Sequence, residues 1–185
     1  MIARQIPVSV EQVENKTVTE GGDVEVTCSV TAGNPYPTFM WTNVTSGKHI
    51  KGNPLNISNI NRAQAGEYRC TANNTCGEAF TVMNINVQYG PENVILTTNT
   101  TSKLVCTGVV INFTCTAEAN PPVHTYLLYG NDTVINNMGI SGTWIKKMEN
   151  AGQFVFRCEA NNSIQGIGKS GNTTLTVGGE FEVIF

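Results

Sequence analysis

Apolar and polar residues alternate along much of this chain. Val24, Val26 and Cys28 are separated by Glu25 and Thr27, and Ile111, Phe113 and Cys115 by Asn112 and Thr114. Leu55 and Ile57 bracket Asn56, and "FTVMNINVQY" alternates up to Tyr89. A period of two with one apolar side predicts half-buried antiparallel strands. Gly, Pro and Asn punctuate the runs at roughly 8 to 12 residues, as turns between short strands require. Helical periodicity is absent over any useful length, so the chain reads as all-β.

The pattern occurs twice. "GGDVEVTC" leads to Cys28 and "NISNINRAQAGEYRC" ends at Cys70; "GVVINFTC" leads to Cys115 and "WIKKMENAGQFVFRC" ends at Cys158. The spacings within the pairs are 42 and 43 residues, and 87 residues separate Cys28 from Cys115. The 185 residues therefore divide into two sandwich domains of about 90 residues each. The expected limits are 1–89 and 90–178, with a tail at 179–185 of unassigned role. At the junction, "VQYGPENV", Gly90-Pro91 is expected to break one strand before Val94, Ile95 and Leu96 begin the next. No Gly/Ser linker intervenes.

Composition narrows the function. Net charge is −3 and only 14% of residues are charged. No run of three Lys/Arg occurs, so the electrostatic footprint of a nucleic-acid or anionic-lipid binder is missing. No run of 18 apolar residues occurs either, so no direct membrane insertion by this chain is expected. That leaves room for a membrane-anchored parent. "MIARQIPVSV" has no apolar leader core, which suggests a mature piece or an excised part of something longer.

Asn is the outlier, with 22 residues. Nine of them begin an N-x-S/T sequon: Asn15, Asn43, Asn56, Asn73, Asn99, Asn112, Asn131, Asn161 and Asn172. Chance predicts roughly four, so the excess favours a glycosylated, extracellular or cell-surface protein. Six cysteines in this setting point to an oxidising compartment.

The residues around the cysteines resemble the immunoglobulin superfamily, of the intermediate-set or C2-like kind. In that family one cysteine lies on strand B and one on strand F. A strand C tryptophan packs on their bridge, and a tyrosine stands two residues before the second cysteine. The first domain matches at Cys28, Trp41, Tyr68 and Cys70, with Leu55, Ile57 and Ile60 where strand E and its turn bury side chains. The "VQYGP" junction is similar to those between C2-like domains of cell adhesion molecules, such as the carcinoembryonic-antigen-related group. The resemblance implies two tandem immunoglobulin-like β-sandwiches, bridges Cys28–Cys70 and Cys115–Cys158, and core roles for Trp41, Tyr68 and Phe156.

Three departures accompany the match. Gln64 replaces the usual acid six residues before the second cysteine, so the ion pair that acid makes with an upstream arginine is expected to be lost. In the second domain the tryptophan position falls near Leu128, and Trp144 is the candidate to compensate. Phe156 stands at the corner tyrosine's place without its hydroxyl, and Phe154 is a second candidate for the corner.

With four cysteines so assigned, Cys76 and Cys106 are left over, one in each domain. An internal Cys76–Cys106 bridge needs Cα atoms within about 7 Å. It implies a chain folded back sharply at Gly90-Pro91, whereas an extended chain leaves both thiols to other partners. The even total favours the internal bond.

No catalytic or cofactor chemistry is legible. His49 and His124, the two histidines, lie in different halves, and Cys70 and Cys76 lack zinc-ligand spacing. G-x-S-x-G, H-E-x-x-H and phosphate-cradling glycine motifs are absent. No metal or other cofactor is expected. Exposed aromatics are the candidates for contact: Tyr36 in the turn "GNPYPTF", and Tyr126 in the equivalent segment "PPVHTY". Phe39 shares strand parity with Trp41 and belongs to the core.

The chain reads as a non-catalytic fragment of a cell-adhesion or recognition ectodomain. Its expected partner is a protein, another immunoglobulin domain or its own copy. Two alternatives remain: a ligand-binding receptor ectodomain, and a structural repeat of a large matrix protein.

Overall fold

A computed structural model describes residues 6–164 and 166–179. The tail at 180–185 lies outside the described residues. The chain divides into two compact units between Gln88 and Tyr89.

The first unit contains β1 (Ile6–Val10), β2 (Lys16–Thr19), β3 (Val24–Val26), β4 (Val30–Asn34), β5 (Thr38–Asn43), β6 (His49–Lys51), β7 (Leu55–Ile57) and β8 (Gly66–Asn74). It also takes the first part of β9 (Gly77–Thr98). One layer runs β2, β9, β8, β5, β6; the other holds the β1–β4 and β3–β7 pairs. Alternation decides which side chains enter between them. Val24 and Val26 on β3, Leu55 and Ile57 on β7, and Met83, Ile85 and Val87 on β9 are all buried.

The Cys28–Cys70 disulfide spans the layers. Trp41 lies opposite Cys70 in register and is fully buried in the same cluster. Tyr68 is 2% exposed, and its hydroxyl donates to the Gln64 carbonyl at 2.9 Å. Gln64 carries no charge to pair with an arginine, and a different acid serves Arg62. Arg62 pairs with Glu20, which also accepts the Arg62 backbone N–H. The replaced acid is not missed, because Glu20 approaches from the end of β2. Gln64 instead closes a capping box with Asn61 around the single 3₁₀ turn Arg62–Gln64.

The second unit contains the last part of β9 with β10 (Leu104–Cys106), β11 (Val110–Asn120), β12 (Thr125–Gly130), β13 (Thr133–Gly139), β14 (Thr143–Lys147), β15 (Gly152–Asn161), β16 (Gly168–Lys169) and β17 (Thr173–Gly178). One layer runs β10, β17, β15, β12, β13, with β16 beside β15; the other is β14, β11, β9. Cys115 and Cys158 form its disulfide.

Leu128 lies opposite Cys158, the register Trp41 has with Cys70. An aromatic group shares the core with this leucine. Phe113 sits 4.6 Å from Phe156 and 5.9 Å from Trp144, and Phe154 stacks on Phe156 at 6.3 Å. Phe113 and Phe156 are fully buried, whereas Trp144 and Phe154 only flank the cluster. Behind the bridge, Gly142 has φ +62°, and a Cβ there would stand 2.3 Å from the Cys115 carbonyl oxygen. Only glycine fits this approach.

Gly90-Pro91 does not break β9, contrary to the sequence expectation. The partner changes instead. Gly77–Ile85 pairs with β8 and Ile85–Gln88 with β2, while Tyr89–Thr98 pairs with β11. Tyr89 faces Asn120 and Glu92 faces Glu118, so a register shift falls at Gly90-Pro91. A proline at such an irregularity forfeits no regular ladder bond.

Each unit also carries the same asparagine latch at the end of its long middle strand. Asn74 Nδ2 donates to the Ile6 and Pro35 carbonyls, and its Oδ1 accepts from Cys76 N. Asn162 Nδ2 donates to the Tyr89 and Pro121 carbonyls, and its Oδ1 accepts from Ile164 N. Asn162 is 4% exposed.

Two stability outcomes follow. Tyr68→Phe removes one half-buried hydrogen bond and should lower the first unit's unfolding free energy by about 1 kcal/mol in urea titrations. Asn162→Ala leaves two carbonyls and an amide without their partner, and should cost the second unit about 2–3 kcal/mol or more by the same measurement.

Candidate protein interface

The outward side of β5, β6, β8 and β9 presents three rows across the first unit. Lys51, Met40, Thr71 and Phe80 are in register, as are His49, Thr42, Arg69 and Val82, and then Thr38, Asn73 and Glu78. Strand parity puts them here. Trp41, Cys70 and Thr81 point inward, so their neighbours point out.

Phe80 is 56% exposed, and the Arg69 guanidinium lies 4.7 Å from its ring centroid. Met40 and Val44 are also exposed. Two shallow depressions of about 340 and 330 Å³ flank Met40 and Thr71. His49 Nδ1 and Thr42 Oγ1 lie 2.9 Å apart. Apolar side chains are ringed here by hydroxyls and by both signs of charge, the composition typical of protein interfaces. The aromatic and the arginine are residue types that anchor protein partners.

Tyr36 is 74% exposed in the turn before β5, with its ring 5.9 Å from Phe39. It is available for contact at one end of the unit. Tyr126 is not. It is 8% exposed, belongs to the second unit's core, and would touch a Cβ at Gly142. That binding assignment is corrected, because Tyr126 shares inward parity with Leu128. Met40, Arg69 and Phe80 were not singled out by the sequence. The legible signal was Phe80 itself, an aromatic on the polar phase of a strand whose other phase is Met83, Ile85 and Val87.

No disulfide joins Cys76 to Cys106, so the expected internal bond is corrected. The two lie in different units, and each has its own local setting. Cys76 is half-buried in the turn after β8, with its sulfur 3.7 Å from the Asn34 carbonyl oxygen. Cys106 is exposed at the end of β10. Among the described residues, no group of three or more His, Cys, Asp or Glu is placed to hold a metal ion.

The sequons separate by exposure. Asn15, Asn56, Asn73, Asn99, Asn112, Asn131 and Asn172 are exposed, and Asn161 is half-buried. Asn43 is 4% exposed, and its Oδ1 accepts from Ser46 N. A glycan at Asn43 is incompatible with this fold, so that candidate is withdrawn.

In the second unit the outward side of β12 and β15 carries a charge cluster. Glu159 accepts from Tyr129 Oη at 2.8 Å and Arg157 Nη1 at 2.7 Å, and pairs with Lys169 Nζ at 3.0 Å. The Arg157 guanidinium stacks 3.8 Å from the Tyr129 centroid. Burial alone pushes the Glu159 carboxyl up. The hydrogen bonds from Tyr129, Lys169 and Arg157 outweigh it and hold the carboxyl below its usual range.

Two tandem sandwiches, each with its interlayer disulfide, define a class of protein, and comparison agrees. Family profiles described as immunoglobulin domain match residues 7–74 and 93–177. The chain belongs to the immunoglobulin superfamily as a tandem pair of its domains. Human IgLON family member 5 is 30% identical over 142 residues, covering 76% of this chain and 40% of the relative. Neural cell adhesion molecule 1-B of Xenopus laevis is 31% identical over 127 residues, covering 59% and 11%. The chain thus spans well under half the length of these relatives. The crystal structure of the mouse nectin-like molecule 4 ectodomain (Ig1-Ig3) shares the fold at 20% identity. Its TM-score is 0.68, covering 96% of this chain and 66% of that one.

The Glu159 cluster gives a pH outcome. A carboxyl held low in the folded state stabilises fully above its unfolded pKa, about 4.3, and the contribution is lost as pH falls through the lower folded value. Glu159→Gln should therefore destabilise the second unit at neutral pH and flatten its loss of stability on acidification below that point. Urea midpoints measured across the acid range check both effects.

Proposed function

We propose that this chain is part of an extracellular adhesion or recognition protein, and that it acts without catalysis by holding a protein partner on the outward side of β5, β6, β8 and β9. The observation that carries the reading is the Lys51–Met40–Thr71–Phe80 row, with Arg69 stacked over an exposed Phe80. Contiguous apolar side chains rimmed by polar residues on a surface mark sites of protein contact.

The relatives lend support. A protein named for neural cell adhesion is among them. The partner that suits a flat, mixed-charge sheet face is another sheet face, either on a second immunoglobulin domain or on a second copy of this chain. The disulfides and sequons agree with an extracellular or cell-surface setting.

Sedimentation of the purified chain over a concentration series tests self-recognition. The expected result is a reversible dimer that Phe80→Asp weakens at least about tenfold, the loss typical of a central anchor. A dimer indifferent to Phe80→Asp would place recognition elsewhere. A strict monomer at high concentration would exclude the second copy and leave a different immunoglobulin domain as the partner.

A further inference from the structure

The second unit has an exposed apolar patch unrelated to the face described above. It lies on the outward side of the β14, β11, β9 layer. Ile145 on β14 is 64% exposed, Ile95 on β9 54%, and Val110 on β11 48%. Asn112 stands beside Ile145 and Val110, whereas Ile95 lies farther along the layer, opposite Thr116. Asn112 is the direct cross-strand neighbour of Ile145, and Val110 and Thr114 flank it two residues away on β11. Such cross-strand pairs hold their Cβ atoms at about 4.5–5.5 Å. A depression of about 480 Å³ opens here, lined by Asn112, Phe113, Thr114, Thr143, Trp144 and Ile145.

Asn112 itself has no structural reason to be asparagine. Asn15, Asn99 and Asn131 each use Oδ1 to accept a backbone N–H, and so serve the fold. Asn112 sits mid-strand, where asparagine is disfavoured. Its side chain makes no hydrogen bond among the described residues. It also begins the sequon Asn112-Phe113-Thr114. An exposed side chain with a free amide thus stands beside a hollow walled by Thr114, Thr143, Trp144 and the exposed Ile145, which is open among the described residues.

We infer that Asn112 is an N-glycosylation site and that its first N-acetylglucosamine lies over Ile145, with the apolar face of the sugar ring in the hollow. In the attachment, Nδ2 attacks C1 of the sugar on a polyprenyl-pyrophosphate-linked oligosaccharide. The Nδ2–C1 bond forms, the C1–O bond breaks, the pyrophosphate leaves with the electron pair, and Nδ2 gives up one proton to base. The sugar then shields Ile145 and Val110, so the sheet face is closed to protein partners.

The test uses the chain secreted from a glycosylating host. Release of glycans by a peptide amidase in heavy-oxygen water should convert Asn112 to labelled aspartate. Thr114→Val abolishes the sequon and keeps a β-branched strand residue. It should lower the second unit's Tm by about 2–5 °C, as partial uncovering of one isoleucine would. With Ile145→Thr already present, the same change should move Tm by less than half as much. Trimming to the first N-acetylglucosamine should leave the wild-type Tm in place. Asn112→Gln repeats the sequon loss if Thr114→Val does not fold. An unlabelled Asn112 overturns the inference. So does a Tm loss on trimming, or a Tm loss that persists at half its size or more without Ile145.

Discussion

Each unit depends on one covalent link between its two layers. Cys28–Cys70 and Cys115–Cys158 join strands 42 and 43 residues apart in sequence. Closing loops of this length in the unfolded chain is worth roughly 4 kcal/mol on the chain-entropy account, a large share of what a small domain has in total. The bond also settles register. Once Cys70 and Cys158 must face inward, parity decides every other side chain on β8 and β15, and through their neighbours on β5, β9, β12 and β17. The outward rows of the first unit follow from that one decision.

The two units solve the volume beside the bridge differently. In the first, one indole opposite Cys70 fills it, with Tyr68 tying the corner through Gln64. In the second, Leu128 takes the indole's register, and Phe113 and Phe156 pack together in the same core from the two layers, with Trp144 and Phe154 at the margins. Interiors require close packing, and several combinations of side chains satisfy it. The corner hydroxyl has no counterpart in Phe156. The Asn162 latch is almost fully buried, but it is no substitute, since the first unit has the matching Asn74 latch in addition to its corner tyrosine.

Much of this was legible in the sequence, for a physical reason. A period of two reports which side of a strand is dry. The inward sets on β3, β7, β9 and β11 were therefore visible, as was the tandem repeat. The differences fall where parity is silent or is masked by the neighbouring sequence. Tyr126 follows a loop-like stretch that masks its parity, although two residues separate it from inward Leu128. Asn43 carries a valid sequon but spends its Oδ1 on Ser46 N inside a turn, and burial is a tertiary property no tripeptide states. Gly90-Pro91 carries the signature of a break, yet β9 changes partners there, and the register shift absorbs the missing N–H. The Glu20–Arg62 pair escaped because its residues are 42 apart in sequence.

The asparagine excess now has two causes that composition could not separate. Part of it is structural. Asn53 both donates to and accepts from the Cys28 backbone, Asn61 caps the 3₁₀ turn, and Asn59 and Asn93 take left-handed backbone conformations that asparagine tolerates better than most residues. The paired sequons at Asn73 and Asn161 also have a structural component. Each precedes a latch, Asn74 or Asn162, so the middle position of each tripeptide is fixed by the fold. What remains after these subtractions is a smaller set on open strand surface, Asn56 and Asn112, where the fold gains nothing from an amide. Both lie on the layer opposite the long middle strand of their unit. If sugars occupy that layer in both units, the outward sides of β5 with β8 and of β12 with β15 stay open, apart from the row that holds the exposed sequon residue Asn73. Of these, the second is filled by a satisfied ion cluster around Glu159, whereas the first leaves Phe80 and Met40 open.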